Sequence, residues 1–318
     1  MPAGADTAYR PSMPFFKRSG PEPTPDPDLP LTTEQARRLR ALVRAAFAET
    51  GVEVVVHPGH VEDDQGAKYG LWNVAAACND VPEAEWASIV RAHVSRLGRT
   101  GDVETMSEDE LRRAVYFRLV ESASLPDLTW HPSADRYGDG LTAVLSVDLP
   151  ETVSTPQEEF WSARGGYERW RDTGRANVRA LLISDELEHA RIAPPDGAGA
   201  FDVVLGESFF TASTALLPDD LVRRFAPGAE ASRGMLLVVP FRHQVAFRVL
   251  DGTQDGVLAL NNLFNFAMQG FNEAPGPLSP HVFWVVEGRW RQVTQFVDGQ
   301  PQVQVDDDLA AALGALGG

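Results

Sequence analysis

The chain has 318 residues, with 45 acidic against 28 basic side chains and a formal charge of −17. That surplus repels a phosphate backbone, which excludes a nucleic-acid surface as the main use of the fold, because such a surface needs concentrated Lys and Arg. Cys78 is the single cysteine, so an intramolecular disulfide and a multi-cysteine zinc cage are both excluded, and a reducing cytoplasm is expected.

Seven prolines between residues 11 and 30 (Pro11, Pro14, Pro21, Pro23, Pro25, Pro27 and Pro30) remove backbone donors and hold the chain extended. Residues 1–30 are therefore expected to form a disordered tail. Met13 offers a second start, and Phe15-Phe16 is too short an apolar element for a secretory signal. Thr32-x-x-Gln35 is a capping box, and Ala36, Leu39, Leu42, Val43, Ala46 and Phe47 share one face of the helix it opens, which Gly51 ends. Val52 to His57 and Tyr69 to Cys78 read as strands separated by a polar loop, Pro58 to Ala67. Pro82 then opens a helix bearing Trp86, Ile89, Val90 and Leu97, closed by Gly98. Ser107-x-x-Glu110 caps a further helix with Leu111, Ala114, Val115 and Leu119 as its buried stripe. The turn-rich stretch Ser133 to Gly140 predicts a boundary near residue 134, between an N-terminal α+β lobe (31–133) and a C-terminal one (134–318).

In the second lobe Leu141 to Asp148 reads as a core strand and Arg175 to Glu188 as a helix. Phe201 to Leu205 and Phe209 to Leu217 read as strands, followed by a short helix from Pro218. Strands at Met235 to Pro240 and Val245 to Leu250, a helix at Val257 to Phe271, and a hairpin turned at Glu287-Gly288 complete the pattern. Strands and helices are interspersed without a repeat or strict βαβ alternation, so the fold expected is α+β with mixed sheets and packed helices. The longest apolar run, Met235 to Phe241, is seven residues including a proline, against the ~20 a membrane helix needs, so no membrane partner is expected.

Gly70-Leu-Trp-Asn73, Leu141 to Asp148 with Arg175-Ala-Asn177-Val178, Gly206-Glu-Ser208, Val238-Val-Pro-Phe-Arg242, Pro277-Leu-Ser-Pro280 and Gly288-Arg-Trp290 are short motifs in a fixed order. In that order they resemble the YtpQ-like family of uncharacterised bacterial proteins. The proline-rich tail and the Trp161 to Trp170 segment depart from that pattern. The resemblance implies an intracellular bacterial α+β protein and brings no catalytic residues with it.

Several side-chain groupings invite a chemical role. His57-Pro-Gly-His60, followed by Glu62, Asp63 and Asp64, offers imidazole and carboxylate ligands for a divalent metal, with His57, His60, Asp63 and Asp64 as candidates, against a plain polar loop. Gly206-Glu-Ser208-Phe-Phe210 resembles a strand leading to a nucleophile elbow with its last glycine lost; Ser208, Asp251 and His281 follow triad order. Arg242-His243 falls between two strands, in an exposed turn where Arg could grip an anion and His could titrate near neutrality, against a solvated hairpin tip. Asn262, Asn265, Gln269 and Asn272 form an amide stripe opposite Val257, Leu260, Phe264, Ala267, Met268 and Phe271, and with Arg242 are the candidate partner-binding residues. Aromatics and Arg164, Arg169 and Arg171 around Trp161 to Trp170 read as a packed lid. Gly197-Ala-Gly199 lacks the strand and third glycine of a phosphate cradle, so no nucleotide cofactor is expected. The leading expectation is a non-enzymatic interaction or regulatory protein with a protein partner. The alternative is a hydrolase using the His57/His60 loop or Ser208, with His243 and His281 as further candidates.

Overall fold

Reciprocal hydrogen bonds between Thr32 and Gln35 open the first helix, α1 (Thr33–Glu49), as the capping box requires. The computed structural model describes residues 24–64, 68–97, 103–125, 127–149, 152–195, 197–274 and 276–314. The expected tail falls outside these residues as far as residue 23. Beyond it the expectation is corrected: Leu29 and Leu31 are buried, and Asp26 receives two bonds of 3.0 Å from the Arg40 guanidinium. Two apolar residues within reach of α1 outweigh the extended preference of the neighbouring prolines.

An antiparallel sheet follows, built from β1 (Val54–Val56), β2 (His60–Asp63) and β3 (Lys68–Gly70). Helices α2 (Trp72–Asn79) and α3 (Trp86–Leu97) pack with it against α1 around Leu39, Val43, Phe47, Val61 and Trp86. Here the expected loop Pro58 to Ala67 contains a strand, and the expected strand Tyr69 to Cys78 is mostly helix. The Ala75-Ala-Ala run favours a helix, and Val74, Ala75 and Cys78 supply its buried face. Gly98 lies outside the described residues.

The second capping box, Ser107 with Glu110, opens α4 (Glu108–Ala114), which runs straight into β4 (Val115–Glu121). Strand β4 pairs along its whole length with β6 (Leu141–Leu149), which also pairs with β5 (Asp135–Tyr137) and β7 (Thr152–Ser154). A boundary at residue 134 would cut this sheet, so that expectation is corrected. The change of core lies between Leu97 and Val103, where residues 29–97 close one cluster and Val103 begins the next.

Helix α5 (Glu158–Ser162) leads to α6 (Tyr167–Ile183), which lies on β4. Trp161 and Trp170 are both buried in this core, and Arg164 stacks on Phe160 at 3.8 Å, so the aromatic segment is packed. Strands β8 (Leu187–Ile192) and β9 (Phe201–Gly206) follow. Next come a 3-10 segment (Thr211–Leu216) and α7 (Pro218–Phe225). The expected strand Phe209 to Leu217 is replaced by that tight turn of helix. The Thr211 and Thr214 hydroxyls donate to the carbonyls three residues back, at 2.8 and 2.7 Å, giving the backbone a local partner instead of a ladder.

Strands β10 (Met235–Val238) and β11 (Gln244–Val249), helix α8 (Asp255–Glu273), β12 (Phe283–Val286) and β13 (Arg289–Gln292) complete a six-stranded sheet in the order β13-β12-β10-β11-β9-β8. The β12–β13 turn has φ of 50° at Glu287 and 73° at Gly288, the left-handed pair that a two-residue hairpin demands. A separate hairpin, β14 (Thr294–Val297) with β15 (Gln300–Val303), and α9 (Asp307–Ala312) end the described chain. Alternation divides the large sheet's side chains: Leu237, Val245, Phe247 and Phe283 face the β4–β6 sheet and α6, while Leu236, Val238, Ala246 and Trp284 face α8 and α9. The protein is thus α+β. Among the described residues no helix is long and apolar enough to cross a membrane.

Helix α8 buries Leu260 and Ala267 of its expected apolar face, but that face is rotated towards Gly256, Ala259 and Leu263. Gly256, Ala259, Leu260, Leu263 and Ala267 are buried, whereas Val257 and Leu258 are 42% and 50% exposed. Small residues let the helix approach α9, where a Cβ on Gly256 would come within 3.1 Å of the Leu313 carbonyl.

A tighter approach is at Gly174 in α6, where a Cβ would stand 2.6 Å from the Phe117 nitrogen and 2.9 Å from the Tyr116 carbonyl carbon. Both neighbours are backbone and cannot swing aside. In an exposed helix Gly→Ala would stabilise by about 1 kcal/mol, but overpacking a full core costs about 1–3 kcal/mol. Gly174→Ala is accordingly expected to lower the denaturation midpoint, measured by chemical unfolding; a midpoint at or above that of the wild type would contradict the seating of α6 on β4.

Candidate functional site

The tip of the β1–β2 hairpin brings together two histidines and a carboxylate, the group that among the described residues has its donor atoms close enough to hold a metal ion. His57 donates its backbone N–H to the His60 carbonyl at 2.8 Å, so the two histidines are the cross-strand pair that closes the Pro58-Gly59 turn. Paired residues on antiparallel strands point to one side, and Glu62, two residues along β2, joins them there. Val61 points the other way and is fully buried, which fixes the register. Across β2–β3 the partner of His60 is Gly70, which leaves open space where a side chain would stand.

The two imidazoles stack with centroids 4.4 Å apart and planes at 11°. His57 Nε2 lies 3.7 Å from a Glu62 carboxylate oxygen, and one donor atom from each of the three residues lies within 4.8 Å of the others. His60 Nε2 is shut off from solvent and has no hydrogen-bond partner. Burial, with the nearby His57 and Lys68, lowers the His60 pKa despite the opposing pull of Glu62, so its nitrogen lone pair stays unprotonated. Two imidazoles, one with a desolvated orphan nitrogen, and a carboxylate form a ligand set suited to zinc or a similar divalent ion.

The tip is held still from behind. Arg40 in α1 donates to the Pro58 carbonyl from Nε at 2.9 Å and from Nη2 at 2.6 Å, and Leu71 N–H donates to the Gly59 carbonyl at 2.9 Å. Asp26 holds Arg40 in place. Burial opposes ionisation of that carboxylate, but bonds from Arg40 and from the Asp28 and Leu29 amides prevail and keep its pKa below the usual carboxylate range.

Of the expected ligands, His57 and His60 converge, while Asp63 and Asp64 are outside the group: Asp63 accepts a bond from the Tyr69 hydroxyl at 2.9 Å. The carboxylate that joins them is Glu62. Period-two alternation was the available signal, since His60 and Glu62 share a face and Asp63 takes the other.

The triad expectation is corrected. Ser208 Oγ accepts from its own turn, from Phe210 N–H at 3.2 Å. Asp251 accepts from Thr253 and pairs with Arg248 at 3.1 Å. His281 is buried, with Nδ1 3.4 Å from Thr294 Oγ1. Among the described residues no hydrogen bond links these three to one another. The Arg242-His243 turn is half-buried rather than an exposed tip. His243 donates from Nδ1 to the Gly206 carbonyl at 3.1 Å and accepts at Nε2 from Arg242 Nε at 2.9 Å; burial, reinforced by Arg242, lowers its pKa and keeps it neutral. In the amide stripe Asn265 and Asn272 are exposed, Gln269 donates to Glu273 at 3.0 Å, and Asn262 donates to the Gly199 carbonyl at 3.0 Å. No protein-family model, curated protein or solved structure matches the chain.

His131 and His281 also have pKa values lowered by burial, against opposing pulls from Glu158 on the first and from Asp139 and the Thr294 backbone on the second. For a histidine whose folded pKa lies below its unfolded value, stability is complete above the unfolded value of about 6.5 and is lost as pH falls through it towards the folded one. Depressed carboxylates such as Asp26 act only in a lower window, below their own unfolded value. The melting temperature is expected to fall between about pH 7.5 and about pH 5.5, and His281→Asn should flatten that slope. A profile identical in the variant would remove His281 as a cause.

Proposed function

We propose that the protein is a non-enzymatic interaction or regulatory protein whose amino-terminal hairpin binds one divalent ion of the zinc class through His57, His60 and Glu62. Two observations carry this reading: one donor atom from each of the three residues lies within 4.8 Å of the others, and the His60 ring has a nitrogen, Nε2, deprived of both water and hydrogen bond. A buried acceptor without a partner costs about 1–3 kcal/mol, and coordination removes that cost. Three protein ligands leave a fourth position for water or for a donor from a partner, and in the second case the ion bridges two proteins.

A metal hydrolase would need a general base beside that fourth position. Asp63 is engaged with Tyr69, and Ser208 with its own turn, so the binding reading is favoured over hydrolysis. The motifs that resemble the YtpQ-like family carry no residue roles, and the proposal rests on the hairpin alone.

Zinc titration of the metal-free chain, followed by calorimetry, should give one site per chain. His60→Ala and the double variant His57→Ala/His60→Ala should weaken binding about tenfold or more, and affinity should drop as pH falls through the histidine range because protons compete for the nitrogens. Lys68, which pairs with Glu62 across β2–β3, places positive charge beside the site, so Lys68→Gln should tighten binding. Equal affinity in His60→Ala and wild type would sink the proposal.

A further inference from the structure

A second site lies across the molecule's main core, where β4 meets the turn between β10 and β11. Two arginines are tethered there through one 3-10 segment, Arg118 close enough to feel the charge of Arg242, and neither forms an ion pair among the described residues. Arg118 is the central residue of β4, on the face that also carries Tyr116, and Tyr116 stacks on Phe210 at 4.0 Å and 9°. Arg242 stacks on Phe209, its guanidinium carbon 4.2 Å from the ring centroid. The 3-10 segment ties the two together: Ser213 Oγ accepts from Leu119 N–H at 3.0 Å, and Ala212 N–H donates to the Arg242 carbonyl at 3.0 Å.

Neither guanidinium is in an ion pair among the described residues. Arg118 Nε is shut off from solvent and bonds nothing, and Arg242 Nε is spent on the neutral His243 ring. Burial, compounded by the charge of Arg242 and only partly relieved by Asp148, pulls the Arg118 pKa down to about 10. It remains charged at neutral pH. The shortage is not one of carboxylates, since the chain has 45 acidic side chains against 28 basic ones. Arg248 shows the usual arrangement in this fold: its side chain is 12% exposed, and it pairs with Asp251 and Asp255 at 3.1 Å each and donates to the Ala200 carbonyl.

We infer that Arg118 and Arg242 form a binding site for a phosphate-class oxyanion, which supplies the direct ion-pair partner that neither has among the described residues. Guanidinium groups suit this ligand because their planar fork meets two oxygens at once and stays charged in a desolvated setting. The position of Arg242 is fixed in advance. Its backbone N–H donates to Gly276, whose φ of 72° is left-handed and where a Cβ would stand 2.8 Å from Arg242 Cδ. Phe209 supports one face of the guanidinium and His243 holds its Nε, which leaves the terminal nitrogens for the anion. This site is independent of the hairpin metal site.

The test is thermal unfolding of the full chain in inorganic phosphate, and separately in glycerol phosphate, against chloride at equal ionic strength. The wild type should show a saturable rise in melting temperature, and Arg118→Met and Arg242→Gln should lose it. Without phosphate, Arg118→Met should be at least as stable as the wild type, because it removes an unpaired buried charge and keeps an apolar side chain of similar reach. Arg248→Met should lose stability and keep the phosphate response. A response to inorganic phosphate alone assigns the free ion, and one of equal or greater size to glycerol phosphate assigns a phosphomonoester. No saturable rise in the wild type with either probe, or the same rise in Arg118→Met, overturns the inference.

Discussion

Helix α6 is seated on the backbone of β4, and the contact is possible only because residue 174 has no side chain. From that contact much of the carboxy-terminal architecture follows. Asn177, one turn along, donates to the Arg112 and Val115 carbonyls at 2.8 and 2.7 Å and satisfies the end of α4 where the chain passes into β4 without a loop. With α6 against one face of β4 and β6 along one edge, the free edge is left to the 3-10 segment, which takes Leu119 N–H through Ser213. An edge strand is normally a liability. Here it is closed by a hydroxyl, and the same bond brings the Arg242 turn alongside Arg118.

The amino-terminal module obeys a different constraint. Its core is small and separate, and its hairpin would have a mobile tip if only three residue pairs held β1 to β2. Arg40 removes that freedom by joining the tip carbonyl to Asp26, an acid whose side chain is 3% exposed. Exposed ion pairs contribute little. This one is sheltered, charge-assisted on both sides and used for position: it sets where His57 and His60 stand, and the ligand geometry follows from the register.

Much of the fold was legible because it rested on local chemistry. Both capping boxes, the Glu287-Gly288 turn and the apolar strands Leu141–Leu149 and Met235–Val238 are signalled by residue types that act within a few positions of one another. What was hidden depended on partners distant in sequence or on small side chains. The inward turn of α8 is written in Gly256 and Ala259, which hydropathy ranks below the exposed Val257 and Leu258. Thr211 and Thr214 look like strand residues until their hydroxyls turn back on the backbone. Of the hairpin site the two histidines could be singled out, but Glu62 could not be told from its two acidic neighbours, because the choice between Glu62 and Asp63 needs the strand that loop composition concealed. Arg118 gave no signal at all: a single arginine inside an apolar stretch becomes notable only when it is seen to be buried without an ion-pair partner.

The two sites ask opposite things of an acidic protein. A net charge of −17 concentrates cations near the surface and assists the hairpin, where Glu62 and the two rings need only the ion itself. The same field opposes an anion approaching Arg118, and the contest is decided by distance. Charges beyond about 8–10 Å are largely screened at physiological salt, whereas a guanidinium about 4 Å from an oxyanion attracts it by about 4 kcal/mol at an effective dielectric of about 20. Two such groups at contact range outweigh a diffuse surplus spread over the surface. The local field can do so only while no carboxylate pairs directly with either arginine: Asp148 reaches Arg118 through its charge without an ion pair, and Phe209 gives the Arg242 guanidinium a stacking surface in place of an acid.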